Sequence, residues 1–150
     1  MPMKLALFIL LAVVAGMLVP VQAALNVKLG KAVGDPMYGA FLAFLVGTLG
    51  LLALILFLRV DFGQVQATTT ESWVIWLGGF CGAFFVAALI ILTPRLGVAL
   101  TLGLTVAGQM GFSLLVDHYG WFGTPVQEVS LAKVGGVLLI VGGVWLVQSN

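Results

Sequence analysis

Apolar residues fall along this chain in long, almost uncharged blocks, and polar residues collect in the short stretches between them. The blocks lie at about 5–25, 38–58, 73–92, 96–116 and 131–148. Each approaches the ~20 residues that a helix needs to cross a hydrocarbon core. The last block holds Lys133 near its start, where a flexible stem can carry the ammonium back to the headgroups. The pattern predicts an all-α integral membrane protein, a single transmembrane domain over residues 1–150 with five transmembrane helices. The opening block has a rival reading as a secretory signal, with Lys4 as its basic residue and Val21-Gln22-Ala23 as a small-residue cleavage site. Its apolar part outruns the usual length of such signals, so it is expected to remain as a span.

The first block is broken near its end by Pro20, with Gly16 four residues before it and the amides Gln22 and Asn26 after it. Proline removes one helical hydrogen bond and crowds the carbonyl four residues back. That carbonyl belongs to Gly16, which has no side chain, so Gly16 and Pro20 form the expected hinge. Gln22 and Asn26 lie one turn apart on a face shared with Ala15 and Val19. Two amides on one face of a bent span fit a helix that lines a cavity, because polar groups inside a bilayer are costly and tend to serve function. A polar helix end at the membrane surface is the alternative.

The remaining spans combine small-residue tracks with scattered polar groups. Lys28, Lys31, Gly34, Asp35 and Pro36 are expected to make the first turn. Gly39, Ala43 and Gly47, with Gly50 beyond them, mark a face on which helix backbones can approach closely. A polar loop runs from Arg59 to Ser72, and Trp73 and Trp76 follow at the position of an interfacial aromatic belt. The third span carries Gly78, Gly79, Gly82, Ala83 and Ala87, which predicts packing on two sides, with Cys81 as a small packing residue inside that patch. Thr93-Pro94-Arg95 reads as a tight turn that folds the third and fourth spans into an antiparallel hairpin.

On the fourth span, Thr101, Thr105, Gln109 and Ser113 recur every four residues along one stripe. The hydroxyls can be satisfied by their own helix. Gln109 cannot, and an unpaired buried amide costs about 2–7 kcal/mol, so it needs a polar neighbour or water. An interhelical hydrogen bond and a solute contact both meet that need. Asp117, His118, Tyr119, Trp121, Pro125 and Glu128 then read as an interfacial loop, with His118 a solvated histidine or a proton-sensitive one. The last span pairs its glycines seven residues apart, Gly135-Gly136 and Gly142-Gly143, with Leu139 between them. Two flat spots on one face make an expected dimer interface.

Composition sharpens the class. Hydrophobic residues make up 62% and charged ones 7% of the chain, against about a quarter charged in soluble domains. The net charge of +1 gives no reason to expect nucleic acid as a partner, and the single cysteine cannot form an internal disulfide. Five spans put Lys4, Arg59 and Lys133 on one side of the membrane and Lys28, Lys31 and Arg95 on the other. Three positive charges against three give the positive-inside rule no preference. Either the sample is small or the chain inserts in both orientations and two copies pair antiparallel, which builds an inverted-repeat architecture from one polypeptide.

Over its whole length the chain resembles the small five-helix YdcZ-type family of the drug/metabolite transporter (DMT) superfamily. The resemblance rests on Gly16, Pro20, Gln22 and Asn26, the turn from Pro94 to Gly97, the Gly108-Gln109 pair and the glycine-paired last helix. That helix is also similar to the dimerisation helix of small multidrug resistance transporters, matching at Gly136, Leu139, Ile140, Gly143 and Val144, with Val137 where the pattern has leucine. The membrane-embedded glutamate of those transporters has no counterpart here: Asp35, Asp61, Glu71, Asp117 and Glu128 all fall outside the spans. Proton-coupled cation export through that residue therefore does not carry over.

The resemblance implies one half of a 5+5 DMT-like inverted-repeat assembly in the bacterial inner (plasma) membrane. It would be a transporter subunit moving a small solute by alternating access, as a homodimer or with a homologous chain. Gln22, Asn26 and Gln109, supported by Thr105, are the expected solute contacts, in a pocket between the first and fourth helices. Neutral amides suit a neutral, zwitterionic or hydrogen-bonding solute. A non-transporting membrane scaffold or accessory subunit is the alternative. No converging nucleophile, base or metal-ligand set points to an enzyme, a metal or a cofactor.

Overall fold

The computed structural model describes residues 2–63 and 72–149. Most of the polar loop expected between Arg59 and Ser72, including Gln64, Gln66 and Glu71, lies outside them. The described residues form five helices long and apolar enough to cross a membrane. They are α1 (Pro2–Val33), α2 (Pro36–Phe57), α3 (Leu77–Leu96), α4 (Val98–Tyr119) and α5 (Leu131–Gln148). Short 3₁₀ turns are found at Trp73–Trp76 and Trp121–Gly123. The fold is that of an all-α membrane protein with five spans. Within the stretch expected to form one transmembrane domain, two compact units are distinguishable, Met1–Arg95 and Leu96–Asn150.

Several boundaries differ from the sequence expectation. The helix α1 does not stop near residue 25 but continues through Lys28 and Lys31 to Val33, 32 residues in all. At ~1.5 Å per residue that is roughly 48 Å, more than the ~30 Å of hydrocarbon. The end of an apolar run is where lipid ends, and backbone hydrogen bonding continues past it. The helix stops where the chain demands a different backbone: Gly34 takes a φ of 81°, and Pro36 opens α2. Asp35 caps α2, its Oδ1 accepting from the amides of Met37 at 2.7 Å and Tyr38 at 3.2 Å. The true turn is therefore Gly34-Asp35 alone. Similarly, Pro94 is not in a turn but inside the last turn of α3. The connection to α4 is Gly97, whose φ of 82° suits glycine alone.

In the first unit α1 and α2 pack antiparallel, and their tightest contact is between glycines. A Cβ added to Gly39 would lie 2.6 Å from the Cα of Gly30, so the two backbones touch. Ile90 of α3 closes on the same point, its Cγ2 3.0 Å from the position of a Cβ on Gly30. Ala40, Val86 and Ile90 form the buried cluster, flanked by Phe85 and Ala87. Along α3, Gly82 meets the Phe44 ring, whereas a Cβ on Gly78 or Gly79 would meet nothing within 4 Å. The expected packing of α3 on two sides is thus present on one side of this unit, and Cys81 is exposed where a packed residue was expected.

In the second unit α4 and α5 pack at Gly103, where a Cβ would lie 2.8 Å from Val144. Gly120, with a φ of 62°, ends α4 in the left-handed conformation. Asp117, His118 and Tyr119, expected in a loop, form the last turn of α4. The following segment folds back on them, with Gln127 donating its amide to the Asp117 carbonyl at 2.8 Å. Lys133 Nζ donates to the Glu128 carbonyl at 3.0 Å. Buried hydrophobic side chains are few among the described residues (Ala23, Ala40, Val86, Leu89 and Ile90). Lipid tails solvate apolar side chains as well as a core does, so such a chain has no need to bury them.

Candidate solute-binding cleft

The buried face of α1 is Ala23, Asn26 and Gly30, with half-buried Val19 one turn earlier. The spacings of four, three and four residues hold these positions on one helical stripe. At the Gly30 end the stripe is in backbone contact with Gly39. Towards its other end α2 presents Ala43 and Gly47, and a Cβ on Gly47 would have nothing within 4 Å. The two helices touch at one end and leave room at the other.

That room is a cleft of about 470 Å³. Leu25 and Leu29 of α1, Phe44 and Leu51 of α2 and Val86 of α3 supply most of its apolar wall. Three polar side chains border it: Gln22 and Asn26 from α1, and Thr48 from α2. The volume lies in the range of about 300–1,000 Å³ typical of small-molecule sites, and so does the ratio of many apolar side chains to a few polar ones.

Asn26 is the distinctive group. It retains 8% exposure, and its Nδ2 is buried without a hydrogen-bond partner among the described residues. A donor left in that state costs on the order of 1–3 kcal/mol. Gln22, one turn earlier, is exposed at the cleft rim. Both amides that the sequence singles out in the first span therefore reach one cavity, although α2 supplies the facing wall where a fourth span was expected to stand. Gly16 and Pro20 lie further along α1, which stays helical through both.

Sequence reasoning missed Thr48. Its hydroxyl makes no hydrogen bond among the described residues, and neither does the buried hydroxyl of Thr93 on α3, whereas the threonine and serine hydroxyls of α4 bond their own helix. Thr101 donates to the Gly97 carbonyl at 2.7 Å, Thr105 to that of Leu102 at 2.9 Å and Ser113 to that of Met110 at 2.9 Å. The available signal was its position: it is the sole polar side chain in α2 apart from Tyr38 at the helix start.

In the second unit, Gln109 is exposed on α4, and Thr105 is half-buried with its proton committed to its own helix. On α5, a Cβ on Gly135, Gly136, Gly142 or Gly143 would meet nothing within 4 Å. Leu139 between them is 79% exposed. The contact with α4 leaves these glycines free.

Comparison with known proteins agrees with this architecture. The family described as "Putative inner membrane exporter, YdcZ" matches residues 7–146. The "Inner membrane protein YdcZ" of Escherichia coli (strain K12) is 28% identical over 135 residues, which cover 90% of each chain. No solved structure matches the chain.

Proposed function

The chain belongs to the YdcZ family of multi-pass inner-membrane proteins, and from that premise we propose that it is a transporter subunit that carries a small solute through the α1–α2 cleft by alternating access. The observation that carries the reading is the buried, unpaired amide of Asn26 at the border of a 470 Å³ cavity. Neighbouring helices leave its hydrogen bond open, and a passing solute completes it. Gln22 at the rim is the further solute contact in the first unit, and Gln109 on α4, with Thr105 in support, is the proposed contact in the second. Pro20 removes the amide hydrogen that would hold the Gly16 carbonyl, which makes that turn of α1 the natural hinge.

The working unit is an antiparallel dimer, of two copies or of this chain with a homologous one. Two inverted sets of five spans give the architecture in which transporters hold their solute near the midplane. The open glycine face of α5 supports such pairing, as does Gln109, whose exposed amide in a lipid-spanning helix calls for protein or water against it. A non-transporting scaffold asks instead for sealed helix contacts, and the cleft speaks against it.

The test compares the culture medium of cells producing the wild-type chain or Asn26→Leu at equal membrane abundance, by untargeted mass spectrometry. At least one solute is expected to be raised or depleted with the wild type and to stay at background with the variant. Identical profiles would contradict transport through this cleft.

A further inference from the structure

We infer that the cleft takes an uncharged, largely apolar molecule that presents one hydrogen-bond acceptor oxygen to Asn26. The inference rests on the transport reading for its biological sense, but it stands on the chemistry of the lining alone. Every side chain that borders the cleft is uncharged: apolar residues together with Gln22, Asn26 and Thr48. An ion entering such a site loses its hydration and finds no opposite charge to replace it, a penalty far above that of moving a neutral group. The apolar wall, by contrast, favours a guest with apolar surface.

Asn26 sets the polar requirement. Its Nδ2 is a donor without a partner and with almost no accessible surface; a turn about the soft terminal torsion of the side chain brings it to the cleft that Asn26 borders, so the matching feature on the guest is a carbonyl, ether or hydroxyl oxygen. The Thr48 hydroxyl, also unengaged among the described residues, and Gln22 at the rim can receive a second polar group, but neither is buried and neither carries the desolvation penalty. A guest of matching shape without the oxygen fills the volume and leaves Asn26 unpaired. Discrimination between the two is therefore the signature of the site.

The probes are coumarin, which is flat, neutral and carries acceptor oxygens; naphthalene, of similar shape without one; and coumarin-3-carboxylate, which adds a negative charge. Binding of each to the full chain in lipid nanodiscs is followed by saturation-transfer NMR, with empty nanodiscs subtracted. Coumarin is expected to bind about three- to tenfold more tightly than naphthalene, the ratio that one net hydrogen bond supplies, and coumarin-3-carboxylate to show no binding. In Asn26→Leu the coumarin affinity falls to that of naphthalene. Gly47→Leu, which fills the cleft without meeting neighbouring atoms at its Cβ, abolishes binding of both and keeps the test decisive where Asn26→Leu folds poorly. Equal affinity for coumarin and naphthalene, tighter binding of the carboxylate, a coumarin preference that survives Asn26→Leu, or no signal above empty nanodiscs, as when acyl chains occupy the cleft, would each overturn the inference. The transport reading fails separately: a charged solute in the comparison of culture media would refute the neutral guest and leave transport standing, whereas coumarin binding without any transported solute would do the reverse.

Discussion

Asn26 and Gly39 show the two ways in which single residues shape the first unit, one by a polar group left open and the other by an atom left out. Asn26 was legible in the sequence, because an amide at the end of an apolar run is conspicuous and expensive. Thr48 was not, because a threonine within a span ordinarily bonds its own helix, as Thr101 and Thr105 do; the coordinates alone distinguish it. Gly39 belonged to a small-residue track, but spacing could not say which member makes the contact. Gly39 faces the Gly30 backbone at a distance no Cβ tolerates, while Gly50 faces open space. Gly39→Ala is accordingly expected to destabilise the folded chain by about 1–3 kcal/mol, the usual penalty of overpacking, and Gly50→Ala to leave it unchanged. Thermal unfolding in detergent checks the pair, and equal midpoints for both variants would refute the close helix crossing.

At the scale of the helices, five spans were readable from hydropathy because bilayer thickness sets a length that composition can meet. Their ends were less readable. Apolar runs mark the extent of lipid, while helix ends are set by Gly34, Asp35 and Pro36 in one place and by Gly97 in another. Pro94 reads as a breaker, yet one missing amide hydrogen near the end of α3 does not stop that helix. The glycine pairs of α5 pose a different question: which face of that helix meets what. Its contact with α4 is made by Val144 against Gly103, and the paired glycines stay open. Gly136→Leu combined with Gly143→Leu is expected to leave each subunit folded and to shift the purified protein from dimer to monomer. Light scattering in detergent gives the mass; a dimer that persists would remove this face from the interface.

For the whole molecule, the balance of three basic residues against three was the sole topological signal in the sequence, and it is compatible with a pair of opposed copies. The membrane itself explains why so much of the surface is apolar: Leu5, Phe57 and Leu139, at 61%, 82% and 79% exposure, are solvated by acyl chains or by a second subunit. What pairing cannot supply is a reason for a cavity with an unsatisfied amide inside a packed first unit. Solute passage supplies one, and it requires that water reach the cleft. The most direct measurement places a single cysteine at Gly47 in a Cys81→Ala background and applies a membrane-impermeant maleimide to intact cells or to inside-out vesicles, with a Phe62→Cys loop variant as the reactivity control. Labelling of the Gly47 cysteine from each side of the membrane is the predicted result. No labelling from either side, while the loop cysteine reacts, would contradict a water-filled solute path, and labelling from one side alone would contradict alternating access by an antiparallel pair.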